Sequence, residues 1–129
     1  MPDPPRILIA EDDDGVRKML ETALGKEYLI VSAIGGYQAL AATMKSKLPI
    51  DLIVTDLDMP GLSGVDLIEN LLADTPVIVI SAYLDDPDFD RAMARLKPAA
   101  VLQKPFAIAE LRETIRVILD ARADAPSTL

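Results

Sequence analysis

Four stretches of the chain each present polar residues where an apolar run ends. They are Glu11-Asp12 after Ile7-Leu8-Ile9-Ala10, Asp56 after Leu52-Ile53-Val54, Ser81 after Val77-Ile78-Val79-Ile80, and Lys104 after the run from Ala99 to Gln103. Carboxylates gathered in one pocket repel, and without compensation at least one takes up a proton. A hard divalent cation such as Mg2+ relieves that repulsion, because it prefers oxygen ligands and keeps waters that an incoming phosphate can displace. Lys104 adds a point charge, and Ser81 a hydroxyl able to donate to an oxyanion. A carboxylate nucleophile beside a metal, an ammonium and a hydroxyl is equipped to form an aspartyl phosphate. Asp56 is the candidate nucleophile, since it ends an apolar strand between the Glu11/Asp12 side and the Ser81/Lys104 side. Glu11 and Asp12 are the candidate metal holders.

Composition narrows the alternatives. The 129 residues are 50% apolar, enough for one compact domain and too many for a disordered chain. With no cysteine and no histidine, a thiolate or imidazole metal site, a disulfide, and a Ser-His or Cys-His catalytic pair are all excluded. The 21 acids against 13 bases give a net charge of -8, which argues against direct binding to nucleic acid phosphates. The start, Met1-Pro2-Asp3-Pro4-Pro5-Arg6, lacks a signal-peptide pattern, and no apolar run approaches the ~20 residues that span a bilayer. A soluble, cytoplasmic protein with no membrane partner is expected.

The polar residues need elements to position them. Ile7 to Ala10 reads as a buried strand, and Val16, Met19, Leu20, Ala23 and Leu24 as a helix that Asp13 or Asp14 caps and Gly25 closes. Tyr28 to Ala33 is a second strand, and Tyr37, Leu40, Ala41, Met44 and Leu48 form one helical stripe ending at Pro49. The third strand runs into Thr55-Asp56. A loop with Asp58-Met59-Pro60-Gly61 and Ser63-Gly64 follows, where the glycines form turns, and then a helix from about Val65 to Leu72. After the fourth strand, Phe89, Ala92, Met93 and Leu96 space a weaker helix whose polar start, Asp85-Asp86-Pro87-Asp88, suits a mobile loop. A fifth strand, Ala99 to Gln103, leads through Lys104-Pro105-Phe106 to a last helix buried along Leu111, Ile115, Ile118 and Leu119. The tail from Asp124 should fray. Strands alternating with helices imply an α/β domain: a five-stranded parallel sheet with helices on both faces. Its strand C-termini share one edge, where ligands bind in open α/β sheets. If the strand order is 2-1-3-4-5, the carboxylates of strands one and three converge there.

Ile7-Leu8-Ile9-Ala10-Glu11-Asp12-Asp13, the segment from Asp51-Leu52-Ile53-Val54-Thr55-Asp56 through Leu57-Asp58-Met59-Pro60-Gly61-Leu62-Ser63-Gly64, Ser81-Ala82, and Lys104-Pro105-Phe106 together resemble the receiver domain of two-component response regulators, the CheY-like family. The resemblance covers the chain from about Arg6 to Ala121. It implies a flavodoxin-like (βα)5 receiver (response regulatory) domain over residues 1–122, with 123–129 a disordered tail or the start of a linker. It implies that Asp56 accepts a phosphoryl group from a sensor histidine kinase or a histidine phosphotransfer protein. A partner-binding surface made by the helix after strand four, strand five and the last helix would then switch. Glu11 and Asp12 match the family's acidic pair, with Asp12 a direct Mg2+ ligand and Glu11 acting directly or through water. Asp56 and the backbone carbonyl of Asp58 would complete the metal site, and Mn2+ could replace Mg2+. Ser81, the Ala82 backbone and Lys104 would bind phosphoryl oxygens, with a cis peptide bond before Pro105. Asp58 and Tyr83 match positions that tune access of water to the phosphate, Tyr83 as a shield. No enzymatic activity is implied beyond Mg-dependent phosphotransfer and autodephosphorylation.

Two departures stand out. Glu11 occupies a position that is often Asp, and Val101 stands where many receivers carry a switch Tyr or Phe, so an aromatic readout is not available. Taken singly, each site residue has an ordinary explanation: acids enriched at a helix start, a solvated loop acid, a turn serine, a surface lysine. Their joint placement at four strand ends outweighs these. Arg91, Arg95, Lys97, Arg112 and Arg116 read by default as a solvated charged face. Two other functions compete with the receiver reading. One is a receiver-like binding module that works without phosphorylation. The other is a haloacid-dehalogenase-type phosphatase, suggested by Asp56-Leu57-Asp58 but leaving Glu11-Asp12 unexplained. The chain leaves room for no output domain after its last helix, so a stand-alone regulator, a phosphorelay shuttle or a receiver cut from a longer protein all fit. The downstream partner is a separate target or a missing output domain, and a homodimer is compatible.

Overall fold

A computed structural model describes residues 3–57, 75–82 and 87–124. Within them the order is β1 (Arg6–Ala10), α1 (Asp14–Leu24), β2 (Leu29–Ala33), α2 (Gly36–Lys45), β3 (Leu52–Asp56), β4 (Val77–Ser81), α3 (Pro87–Leu96), β5 (Ala100–Gln103) and α4 (Ile108–Asp124). The strands form one sheet in the order β2-β1-β3-β4-β5, and every pairing is parallel. The helix read from about Val65 to Leu72, the loop before it, the segment 83–86 and the tail 125–129 lie outside the described residues.

The near-continuous apolar runs of β1, β3 and β4 are explained by burial on both sides, because alternate side chains of one strand point to opposite faces. Ile7, Ile9, Leu52, Val54, Ile78 and Ile80 share one core with Leu20 and Leu24 of α1 and with Leu111 and Ile115 of α4. Their neighbours Leu8, Ala10, Ile53, Val77 and Val79 share the other with Ala39 of α2, with Phe89 and Met93 of α3 packing against it.

Local signals set the helix ends. Asp13 caps α1 by accepting from the Val16 N–H at 2.9 Å. Gly25 closes α1 in a right-handed conformation, its N–H donating to the Glu21 carbonyl. A Cβ at Gly25 would stand 2.6 Å from that carbonyl oxygen, so close approach accounts for the glycine.

Two expectations are corrected. The stripe of Tyr37, Leu40, Ala41, Met44 and Leu48 does not run on to Pro49 as one buried face: Leu40 packs against the core, whereas Tyr37, Met44 and Leu48 are 63%, 78% and 48% exposed. Helix α2 instead seats its small residues, Gly36 and Ala39, against the sheet and ends at Lys45. At the start of α3, Pro87 and Asp88 are helical rather than loop, which suits a proline whose missing N–H has no helical partner at that position.

Candidate functional site

Because β1 lies beside β3 and β3 beside β4, the residues that end these strands emerge side by side on one edge. Glu11 follows β1 directly and is fully buried, its N–H donating to the Ala33 carbonyl at the end of β2. Asp12, the next residue, is exposed. Asp56 ends β3 and is 7% exposed; Ser81 ends β4 and is 1% exposed. One carboxylate oxygen from each of Glu11, Asp12 and Asp56 lies within 4.8 Å of the others. Lys104 reaches in from beyond β5, its Nζ donating to Glu11 Oε1 at 2.6 Å and to Asp56 Oδ2 at 2.8 Å. The backbone of Lys104 is fixed as well: its N–H donates to the Ser81 carbonyl at 2.9 Å, and the Lys104–Pro105 peptide bond is cis.

The electrostatics follow from this crowding. The Glu11 carboxyl is pushed up to about 7, first by burial and then by the Asp56 carboxylate, with Lys104 pulling the other way. For Lys104, burial works against the charged form, but its hydrogen bonds to Asp56 and Glu11 outweigh that and hold its ammonium above the usual lysine value. Glu11 Oε2 is buried with no hydrogen-bond partner among the described residues. A buried carboxylate oxygen left without a donor is costly, and here it belongs to a cluster of oxygen ligands. The donor set therefore fits a hard divalent cation held by Glu11, Asp12 and Asp56.

Of the other residues singled out in the sequence, Ala82 follows Ser81 at the same edge and is exposed. Val101 is half-buried, packed against the core that also receives Phe89 and Met93. Asp58 and Tyr83 lie outside the described residues. Sequence reasoning missed two contacts. One is the Glu11–Lys104 pair, which joins residues 93 apart in the chain. The other is Arg17 on the Glu11 carbonyl. For the latter, the spacing of Arg17 from Asp14 and Glu21, three and four residues away, was the available signal.

Residues 7–116 match the family model described as the response regulator receiver domain. The transcriptional regulatory protein PrrA of Mycobacterium tuberculosis is 33% identical over 130 residues, which cover 96% of this chain and 54% of PrrA. The DNA-binding response regulator MtrA of Mycolicibacterium smegmatis is 33% identical over 129 residues, again 96% of this chain and 54% of MtrA. The chain thus spans about half the length of the curated relatives it matches. In fold it resembles a CheY-like receiver domain protein from Methanospirillum hungatei, with a TM-score of 0.86 at 22% identity over 94% of this chain and 98% of that one.

Proposed function

The chain belongs to the response regulator receiver family, and from that membership we propose that Asp56 accepts a phosphoryl group from a phosphohistidine on a sensor kinase or phosphotransfer protein. The observation that carries this reading is the convergence of Lys104 Nζ on Asp56 Oδ2 at 2.8 Å, within a pocket where three carboxylates meet. A carboxylate oxygen of Asp56 attacks the phosphorus. An O–P bond forms as the P–N bond to the donor imidazole breaks, and the imidazole leaves with the bonding pair. Lys104, already at Asp56, follows the charge as it spreads onto the phosphoryl oxygens. The Ser81 hydroxyl and the Ala82 N–H stand at the neighbouring strand end to donate to the same oxygens. Glu11, Asp12 and Asp56, with the carbonyl of Asp58, would hold Mg2+ or Mn2+, which supplies positive charge for the carboxylates and the incoming phosphoryl group.

Asp58 and Tyr83 would set how fast water removes the phosphate, giving an autodephosphorylating receiver over residues 1–122. With Val101 in place of a ring, the signal would pass through Ser81 and the segment after it to the face of α3, β5 and α4. The partner there is a separate target or an output domain of a longer protein. Direct contact of this chain with nucleic acid is not part of the reading, and no described helix is long and apolar enough to cross a membrane. A cytoplasmic kinase partner would place the chain in the cytoplasm.

The test is intact-mass analysis after incubation with a small acyl phosphate, with and without Mg2+. One phosphoryl adduct is expected that requires Mg2+ and vanishes in Asp56→Asn. An adduct that persists in folded Asp56→Asn would place the acceptor elsewhere, and no adduct from folded wild type would favour a binding module that works without phosphorylation.

A further inference from the structure

Arg17 takes no part in the chemistry just described, yet its side chain is only 12% exposed and is held on several sides. Its Nη1 donates to the Glu11 carbonyl oxygen at 3.1 Å. Its Nη2 donates to the Asp14 carboxylate, and its Nε faces Glu21 at 3.7 Å. Its own N–H donates to the Asp13 carbonyl at 2.9 Å, which sets the root of the side chain in the first turn of α1. The Glu11 carbonyl belongs to the peptide unit that joins Glu11 to Asp12. That unit is planar, so fixing its oxygen fixes both the direction in which the chain leaves Glu11 and the direction in which it enters Asp12. Neither α1 nor β1 contains these two residues; between the strand end and the helix cap, their backbone is held by Arg17 on one side and by the Ala33 carbonyl on the other.

We infer that Arg17 is a positioning residue: its grip on the Glu11 carbonyl keeps the carboxylates of Glu11 and Asp12 at a spacing that a divalent cation can bridge. The inference rests on the reading of this pocket as a metal and phosphoryl site. Groups that orient metal ligands typically change metal affinity by about 10–100-fold when removed.

A rival role for Arg17 has the opposite sign. If the guanidinium acted only as a positive charge near the acidic pocket, its removal would tighten cation binding. Loss of positioning weakens it. Lysine separates the two further, because it keeps the charge but lacks the planar fork that can hold a carbonyl and a carboxylate together.

The experiment is calorimetric titration of the chain with Mg2+ alone, on wild type, Arg17→Ala and Arg17→Lys, with thermal melts of each. Wild type is expected to bind Mg2+, and both variants to bind it about tenfold more weakly while still melting cooperatively. With a small acyl phosphate, adduct formation should shift to higher Mg2+ yet reach the wild-type rate at saturation. Tighter binding in Arg17→Ala, or affinities within about twofold of wild type in both folded variants, overturns the inference. If Arg17→Ala does not fold, Arg17→Lys decides alone. Absence of Mg2+ binding by wild type would instead overturn the reading of the pocket itself, so the two failures are told apart.

Discussion

Glu11 carries a fully buried carboxylate, and its proton balance differs between the folded and unfolded chain. Its value rises from 4.5 to about 7 on folding. Below 4.5 both states hold the proton and above 7 neither does; in between, the folded state holds more of it. Stability that is present at the acid end of this window is therefore lost as pH rises through it. With a chelator present, the melting temperature of wild type relative to Glu11→Gln should fall as pH is raised from 4.5 to 7, and a flat difference would show that Glu11 does not titrate there. That Glu11, Asp56 and Lys104 meet was legible in the sequence, because each follows or ends an apolar run. Which oxygen meets Lys104 was not. That depends on the reach of the Glu11 arm and on the placement of β5, neither of which has a local sequence signature.

Helix α3 is followed by Lys97, whose φ of 50° lies in the left-handed region, with its N–H donating to the Met93 carbonyl. A side chain with a Cβ is strained there, and glycine is the residue that usually ends a helix this way. Lys97→Gly is expected to stabilise the chain by about 0.5–1 kcal/mol, measured by denaturant titration; destabilisation would mean that the lysine side chain contributes more than the strain costs. The elements show where pattern reading succeeds and where it stops. Strand runs and the caps at Asp13 and Gly25 were readable because each is a local event. In α2 the helical periodicity is legible, but of the stripe it marks Leu40 packs against the core while Tyr37 and Met44 face outward. Hydrophobic size favours Tyr37 and Met44, whereas close seating on β1 and β2 demands Gly36 and Ala39. Size therefore pointed outward and packing inward.

The molecule as a whole divides its stability between two cores on opposite faces of one sheet. Leu111, fully buried on α4, joins the core shared with α1. Leu111→Ala is expected to cost about 2–5 kcal/mol, while Met44→Gln on the exposed side of α2 should stay within about 0.5 kcal/mol. Denaturant melts of the two variants check this, and a large loss in Met44→Gln would mean that the α2 stripe is covered after all. The α/β class was legible because strand and helix patterns alternate, and the strand order followed from the resemblance to receiver domains, since the carboxylates meet only when β1 lies beside β3. That order, β2-β1-β3-β4-β5, also bears on how the sheet is assembled during translation. In chain order, β2 can add to one edge of β1 and β3 to the other, then β4 to β3 and β5 to β4. Every later strand meets an edge already open to it. None has to be threaded between two strands that have paired, so the sheet can widen in the order in which its strands are synthesised.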